Sequence, residues 1–297
     1  MWIFLQLFSV SLWGWINVLD SLLVRHFEKR PPVMMWYQSL FTVSLLLCFA
    51  AFFDVQTNWA VLLALGGFIS YLGDNVFFYT LNRIDVSVTN VAWSLLAVFL
   101  STLGIVYLHE SWSGQQWLGA LLVFFGVLAL SLWHRTIGRP RDLLLLPLLA
   151  ALYVPYYFVQ ELALLRGESL FPVFFWPLFA RELSAYTIGL CVSKIRVMVH
   201  STPARFSPLF HVLNGAVIIL FFTATYFTAK AYDVGPLSLV SVLGNVQPFF
   251  VLGFAGLVYV AMPRFAAKEI LTMQSVGLKT VSFAAVFIGL ALLGLAT

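Results

Sequence analysis

Residues 77–131 read FFYTLNRIDVSVTNVAWSLLAVFLSTLGIVYLHESWSGQQWLGALLVFFGVLALS. The stretch is an apolar run, a short polar corner, a second apolar run, a loop with His109 and Glu110, and a third apolar run. A related pattern returns at residues 226–248, YFTAKAYDVGPLSLVSVLGNVQP, followed by a loop with Lys268 and Glu269 and a last apolar segment. Hydrocarbon about 30 Å thick is crossed by roughly 20 apolar residues in a helix. The repeated unit is therefore the frame of a protein built from membrane-crossing helices.

Composition agrees. The chain has 297 residues, of which 62% are hydrophobic and 9% charged. A soluble domain carries about 25% charged residues, and it has no way to hide this much apolar surface. The net charge of +4 is small and points to membrane orientation instead of nucleic-acid binding. Cys48 and Cys191 both fall in apolar runs, which argues against a disulfide framework or a thiolate metal site. No cofactor or metal is expected. The N-terminus MWIFLQLFSVSLWGW lacks a basic start and a small-residue cleavage site. It is expected to be the first span and not a removed leader.

Cutting at polar and proline-rich corners gives ten runs: 2–24, 32–53, 59–80, 86–108, 116–133, 143–164, 169–192, 208–230, 236–261 and 275–296. They are continuously apolar, which favours helices over an alternating β-barrel. The longest connection, Ser193 to Ser207, is expected to be a loop. Loops after the odd-numbered runs hold Arg25, Lys29, Arg30, Arg83, Arg135, Arg139, Arg141, Lys194, Arg196, Arg205, Arg264 and Lys268. The alternate loops hold only Arg166 and Lys230. The positive-inside rule then places the odd loops in the cytoplasm and both termini outside.

An internal repeat organises the ten runs. With a shift of 151 residues, Ser87, Asn90 and Ser94 fall on Ser238, Ser241 and Asn245. Each set has the i, i+3, i+7 spacing of one helix face. Five runs separate the copies, and an odd number inverts the second copy across the bilayer. Inverted repeats are the mark of alternating-access carriers, with the solute site near the midplane. Polar stripes also serve as glue between helices, but two matching stripes favour a solute path. The halves are residues 1–138 and 139–297.

These residues resemble the drug/metabolite transporter superfamily, and within it the ten-span EamA-type carriers. Tyr79-Thr80-Leu81, Val86-Ser87, Leu95 to Leu108, His109-Glu110, Gln116 to Ala120 and Gly126-Val127 look like the repeat of that family. Gly235 to Val240 and Gln247-Pro248 are similar to the same pattern in the second half. Departures follow: Glu269 comes late, Lys279 stands where an apolar residue or Gly is usual, and Ala97-Val98 replaces a frequent Pro. The resemblance implies an all-α membrane protein, two inverted five-helix repeats around a central cavity. It implies secondary transport of amino acids, nucleobase-like metabolites, sugar phosphates or drugs, with a proton as the default coupling ion. It also implies cytoplasmic termini, opposite to the loop charges.

Charges inside the runs are the candidate chemistry, because an ionisable group at membrane depth costs at least about 2.5 kcal/mol. Asp74, in YLGDNVFFY, is a candidate coupling-proton site or counter-charge for a substrate amine, or else a structural carboxylate. Asn17 and Asp20 share a stripe with Trp13. Tyr157 shares one with Tyr153 and Gln160, with Glu161 beside it and Pro155 positioned to break the helix. Arg181 has a planar fork suited to a carboxylate or phosphate, and Glu182 need not pair with it. The alternative for each is an interhelical pair or a headgroup contact. Tyr226 lies on a stripe with Thr223 and Lys230, while His211 reads as interfacial. With Asn90, Ser94, Ser241 and Asn245 these form the expected substrate or coupling set.

Three carboxylates (Asp20, Asp74, Glu161) against one deep arginine favour an amine or zwitterion over a phosphate ester. No HExxH, GxSxG or phosphate-binding loop is present, so no enzyme is expected. Gly73-Asp74 and Tyr232-Asp233 faintly resemble the paired aspartates of intramembrane proteases, a remote alternative. A non-transporting subunit or receptor of carrier-like fold is the nearer one. The expected setting is the bacterial inner membrane, as monomer or homodimer, with a small-molecule substrate and no nucleic acid.

Overall fold

A computed structural model describes residues 1–83, 89, 91–133, 142, 144–201, 207–261, 281–282, 284–289 and 291–293. Among these residues the chain is all-helical, with eleven named helices and no strand. They are α1 (Trp2–His26), α2 (Pro31–Phe52), α3 (Ala60–Leu81), α4 (Val91–Tyr107), α5 (Gly114–Trp133), α6 (Leu145–Leu165), α7 (Leu170–Cys191), α8 (Ser193–His200), α9 (Pro208–Val234), α10 (Leu237–Gly244) and α11 (Gln247–Ala261). Short helical pieces recur between 281 and 293, inside the expected tenth run.

Among the described residues, six stretches are long and apolar enough to cross a bilayer: α1, α2, α3, α6, α9 and the joint α10–α11 stretch. α4, α5 and α7 coincide with the fourth, fifth and seventh expected runs but fall outside that set. α4 has 17 residues. In α7 the charged Arg181-Glu182 pair and Pro172 and Pro177 dilute the apolar sequence.

Local chemistry sets several helix ends. α2 and α9 begin with proline in the first turn, where the missing N–H costs nothing. Ser207 also caps α9, its hydroxyl accepting from Phe210 N at 3.3 Å. α4 ends with His109 at φ 54° and a 3.1 Å bond from Glu110 N back to Gly104 O. This left-handed residue satisfies a terminal carbonyl and turns Glu110 inward.

Three expectations need correction. The Ser193–Ser207 connection is not all loop, because it holds α8. Val199 of α8 is buried while Lys194 and Arg196 are exposed, so a short amphipathic pattern was overlooked inside a charged connection. The ninth run is not one helix. It breaks at Asn245 and Val246, because the Pro248 ring excludes the carbonyl four residues earlier, that of Gly244, where α10 ends. Pro155, by contrast, sits inside a continuous α6 and does not break it.

Helices from residues 1–133 pack against helices from residues 144–261. α1 lies along α9 and along α10 and α11; α3 lies along α6 and α7; α4 lies along α6 and α10; α2 lies along α7. Apolar side chains gain little from leaving lipid, so close backbone approach and polar contacts do the work. A Cβ on Gly66 would stand 3.1 Å from Pro155 O, and one on Gly67 would overlap Pro177 O. The pair lets α3 press against α6 and α7 at once. Gly119 and Gly289 allow a similar approach between α5 and the last helical segment.

Candidate functional site

Among the described residues, packing leaves a cavity between helices from the N-terminal and C-terminal parts of the chain. It holds about 120 Å³ and is lined from α1, α2, α3, α4, α6, α7, α9, α10 and Gln247 at the head of α11. Polar lining comes from Asn17, Asp20, Gln38, Thr42, Asp74, Arg181, Glu182 and Ser241. Aromatic lining includes Trp13, Trp93, Tyr153, Tyr157, Phe221 and Tyr232. Along α1 the lining residues Gln6, Val10, Trp13, Asn17 and Asp20 follow the four-and-three spacing of one helix face.

Asp74, Tyr153 and Arg181 form the charged centre. Asp74 of α3 accepts hydrogen bonds from the Tyr153 hydroxyl of α6 and from Arg181 Nε of α7. Arg181 Nη1 lies 3.6 Å from Glu182 Oε1. Its guanidinium covers the Phe221 ring, 4.4 Å from the centroid. The adjacent Arg181 and Glu182 thus do pair, because the long arginine side chain spans the angle between neighbouring positions. Asp20 stands apart, with one 3.5 Å hydrogen bond from Gln38 Nε2.

Hydroxyls tie the wall together. Ser9 Oγ donates to Ala224 O and shares a bond with Thr228 Oγ1, which accepts from Trp13 Nε1 at 3.2 Å. Trp93 packs edge-on against Tyr153 at 5.1 Å. Tyr157 bridges Tyr153 and Tyr232.

One end is knotted by Glu110. Its carboxylate accepts from Ser238 N, at 3.2 Å, and from Ser238 Oγ, so a negative group caps the start of α10. Trp112 Nε1 donates to the same Ser238 Oγ at 2.8 Å. A Cβ on Gly104 would stand 2.8 Å from Glu110 Oε2, so this knot needs glycine there.

Of the expected site residues, Asp74, Arg181, Asn17, Asp20, Tyr157 and Ser241 line the cavity together. Ser94, Glu161 and Asn245 are buried and do not line it. Asn90 lies outside the described residues. Tyr226 points the other way: it is 42% exposed and packs edge-on against Phe174 and Phe227. The cavity face of α9 is Val217, Ile218, Phe221 and Thr228, so the stripe through Thr223 and Lys230 was the wrong face. Asp233 pairs with Lys230 at the end of α9 and is not a lining residue, so no aspartyl dyad assembles with Asp74. Sequence reasoning passed over Gln38 and Thr42. α2 also carries Ser39 and Ser44, so the i, i+4 spacing of Gln38 and Thr42 does not single out their face before its neighbours are known.

Residues 1–132 match the sequence model of the EamA-like transporter family. The match covers the first 132 of the 297 residues and is a likeness of that part of the chain. With six stretches long and apolar enough to cross a bilayer among the described residues, the chain is an integral, multi-pass membrane protein. A solved structure described only as "Crystal structure of protein" superposes with a TM-score of 0.70 at 16% identity. The match covers 97% of this chain and 94% of that one, and the likeness is one of fold. No curated protein matches the chain.

Proposed function

We propose that this EamA-type protein is a secondary transporter of a small organic solute, an amine or amino-acid-like metabolite, working by alternating access through the central cavity. The observation that carries the proposal is the cavity itself: a polar, charged space lined from helices of both halves in a chain otherwise made for lipid. Asp74, Arg181, Asn17, Asp20, Tyr157 and Ser241 are the proposed solute and coupling residues, with a proton as the proposed coupling ion. The proposed setting is the bacterial inner membrane.

The proposed halves are residues 1–138 and 139–297, related by inversion. Exchanging the first run with the sixth, the second with the seventh and so on turns the α1–α9 pair into the α6–α3 pair. It turns α4–α6 into the pairing of α10 and α11 with α1, and it maps α2–α7 and α4–α10 onto themselves. One pair departs. α3 crosses α7 tightly at Gly67 and Pro177. Its counterpart, α2 with α9, meets through fewer residues, chiefly Tyr37 with Phe210 and His211, and Phe49 with Phe222. An asymmetry of this kind between related pairs is consistent with one repeat rocking against the other.

The test is uptake of pooled labelled metabolites into proteoliposomes, with and without a pH gradient. A carrier accumulates one class of solute and responds to the gradient. A receptor or subunit of the same fold accumulates none.

A further inference from the structure

The acidic and basic side chains of the cavity do not balance, and the imbalance has a location. Arg181 is engaged on two sides: Nε donates to Asp74 and Nη1 faces Glu182, with Phe221 beneath the guanidinium. Asp74 is matched in turn by Arg181 and Tyr153. This group closes on itself. Asp20, 5% exposed, lines the same cavity, and among the described residues no Lys, Arg or His pairs with it. Its one hydrogen bond is the 3.5 Å contact from Gln38.

A second observation points the same way. Gln6, also 5% exposed and also lining the cavity, has its Oε1 buried with no hydrogen-bond partner among the described residues. The space thus carries surplus acceptors, a carboxylate and an amide oxygen, along the face of α1. A solute that brings N–H donors and positive charge complements them. An anion at Arg181 would instead face Asp74, Glu182 and Asp20, and like charges brought together oppose binding. Walls such as Trp13, Trp93 and Tyr157 offer aromatic faces, which attract cations and receive an apolar body. Trp93 Nε1 is a buried donor without a partner among the described residues and suits a hydroxyl or carbonyl on the same solute.

We infer that the ligand of this cavity is an organic cation, an amine with an apolar body, whose ammonium is held by Asp20 while Arg181 stays with Asp74 and Glu182. The inference rests on the cavity being the solute path, and it narrows the solute class proposed above. It reassigns Arg181 from anion holder to internal counter-charge.

Calorimetric titration of the purified full chain in detergent tests it, with phenethylamine, phenylalanine and 3-phenylpropionate as matched probes and a panel of primary to quaternary amines beside them. Amines are expected to bind and 3-phenylpropionate is not. Asp20→Asn should weaken amine binding about 10- to 100-fold, the effect of losing one hydrogen bond to a charged group. Asp20→Glu should retain most of the affinity. The wild-type preference of cation over anion decides the matter even where Asp20→Asn does not fold. Binding of 3-phenylpropionate as tight as that of the amines, no heat from any amine, or a folded Asp20→Asn protein with unchanged amine affinity would each overturn the inference. Proteoliposome flux separates the two ideas. Asp20-dependent amine binding without flux keeps the ligand class and removes the transport reading. Flux of 3-phenylpropionate in preference to amines keeps transport and removes the ligand class.

Discussion

Asp74 and Arg181 show what single residues contribute here. Each is a charge that lipid does not solvate, and each is accepted because the other, with Tyr153, completes it. Breaking a buried pair from one side leaves an uncompensated charge and costs about 3–5 kcal/mol, whereas replacing both partners is often neutral. Asp74→Asn alone should therefore lower stability by about that amount, and the Asp74→Asn, Arg181→Gln double variant should recover most of it. Denaturation in detergent reads the stability, and transport should be lost in both. A single variant as stable as wild type would mean the pair is not closed as described. At this scale the sequence was informative where a charge interrupted an apolar run, as at Asp74 and Arg181. It was uninformative for neutral polar residues such as Gln38 and Thr42, whose facing depends on packing partners far away in the chain. Tyr226 failed for the related reason that a helix has several polar stripes and only its neighbours choose among them.

The helices depend on where side chains are missing as much as on where they are present. Gly67 has no space for a Cβ against Pro177, while Gly253 of α11 has nothing within 4 Å among the described residues. Gly67→Ala should cost about 1–3 kcal/mol through forced separation of α3 and α7, and Gly253→Ala should stay within about 0.5 kcal/mol. Melting curves of the two variants in one detergent make the comparison, and equal effects would refute the close crossing. The Glu110 knot makes a second demand on an element. Ser238→Ala removes a hydroxyl that bonds both Glu110 and Trp112, and a loss of about 1–2 kcal/mol is expected by the same measurement. Helix positions were legible to within a few residues because lipid enforces long apolar runs. The break after Gly244 was legible in principle from Pro248. α8 was obscured because its eight residues are too few for periodicity to stand out from a charged connection.

On the scale of the whole molecule the account makes two commitments. The first is orientation. Asn82 Nδ2 donates to Lys29 O, and Arg83 pairs with Asp142 at 3.3 Å, so the connections after the first, third and fifth runs gather at one end. Those connections carry Arg25, Lys29, Arg30 and Arg83, and a positively charged end belongs in the cytoplasm. Reporter tags at Arg139 and at the C-terminus should then lie on opposite sides, with Arg139 inside. Tags on the same side would favour the cytoplasmic termini that the family resemblance implies. The second commitment is central: the cavity between the halves opens to each side of the membrane in turn. Its existence was legible from the repeat, but its contents were not, since only the meeting of distant helices brings Asp20, Gln38 and Arg181 around one space. The most direct measurement places a cysteine at Thr42, a lining residue, in protein whose Cys48 and Cys191 have been replaced. A membrane-impermeant thiol reagent is then applied to vesicles of each orientation. Alternating access predicts labelling from both faces; labelling from one face only, or from neither while a loop cysteine reacts, contradicts it.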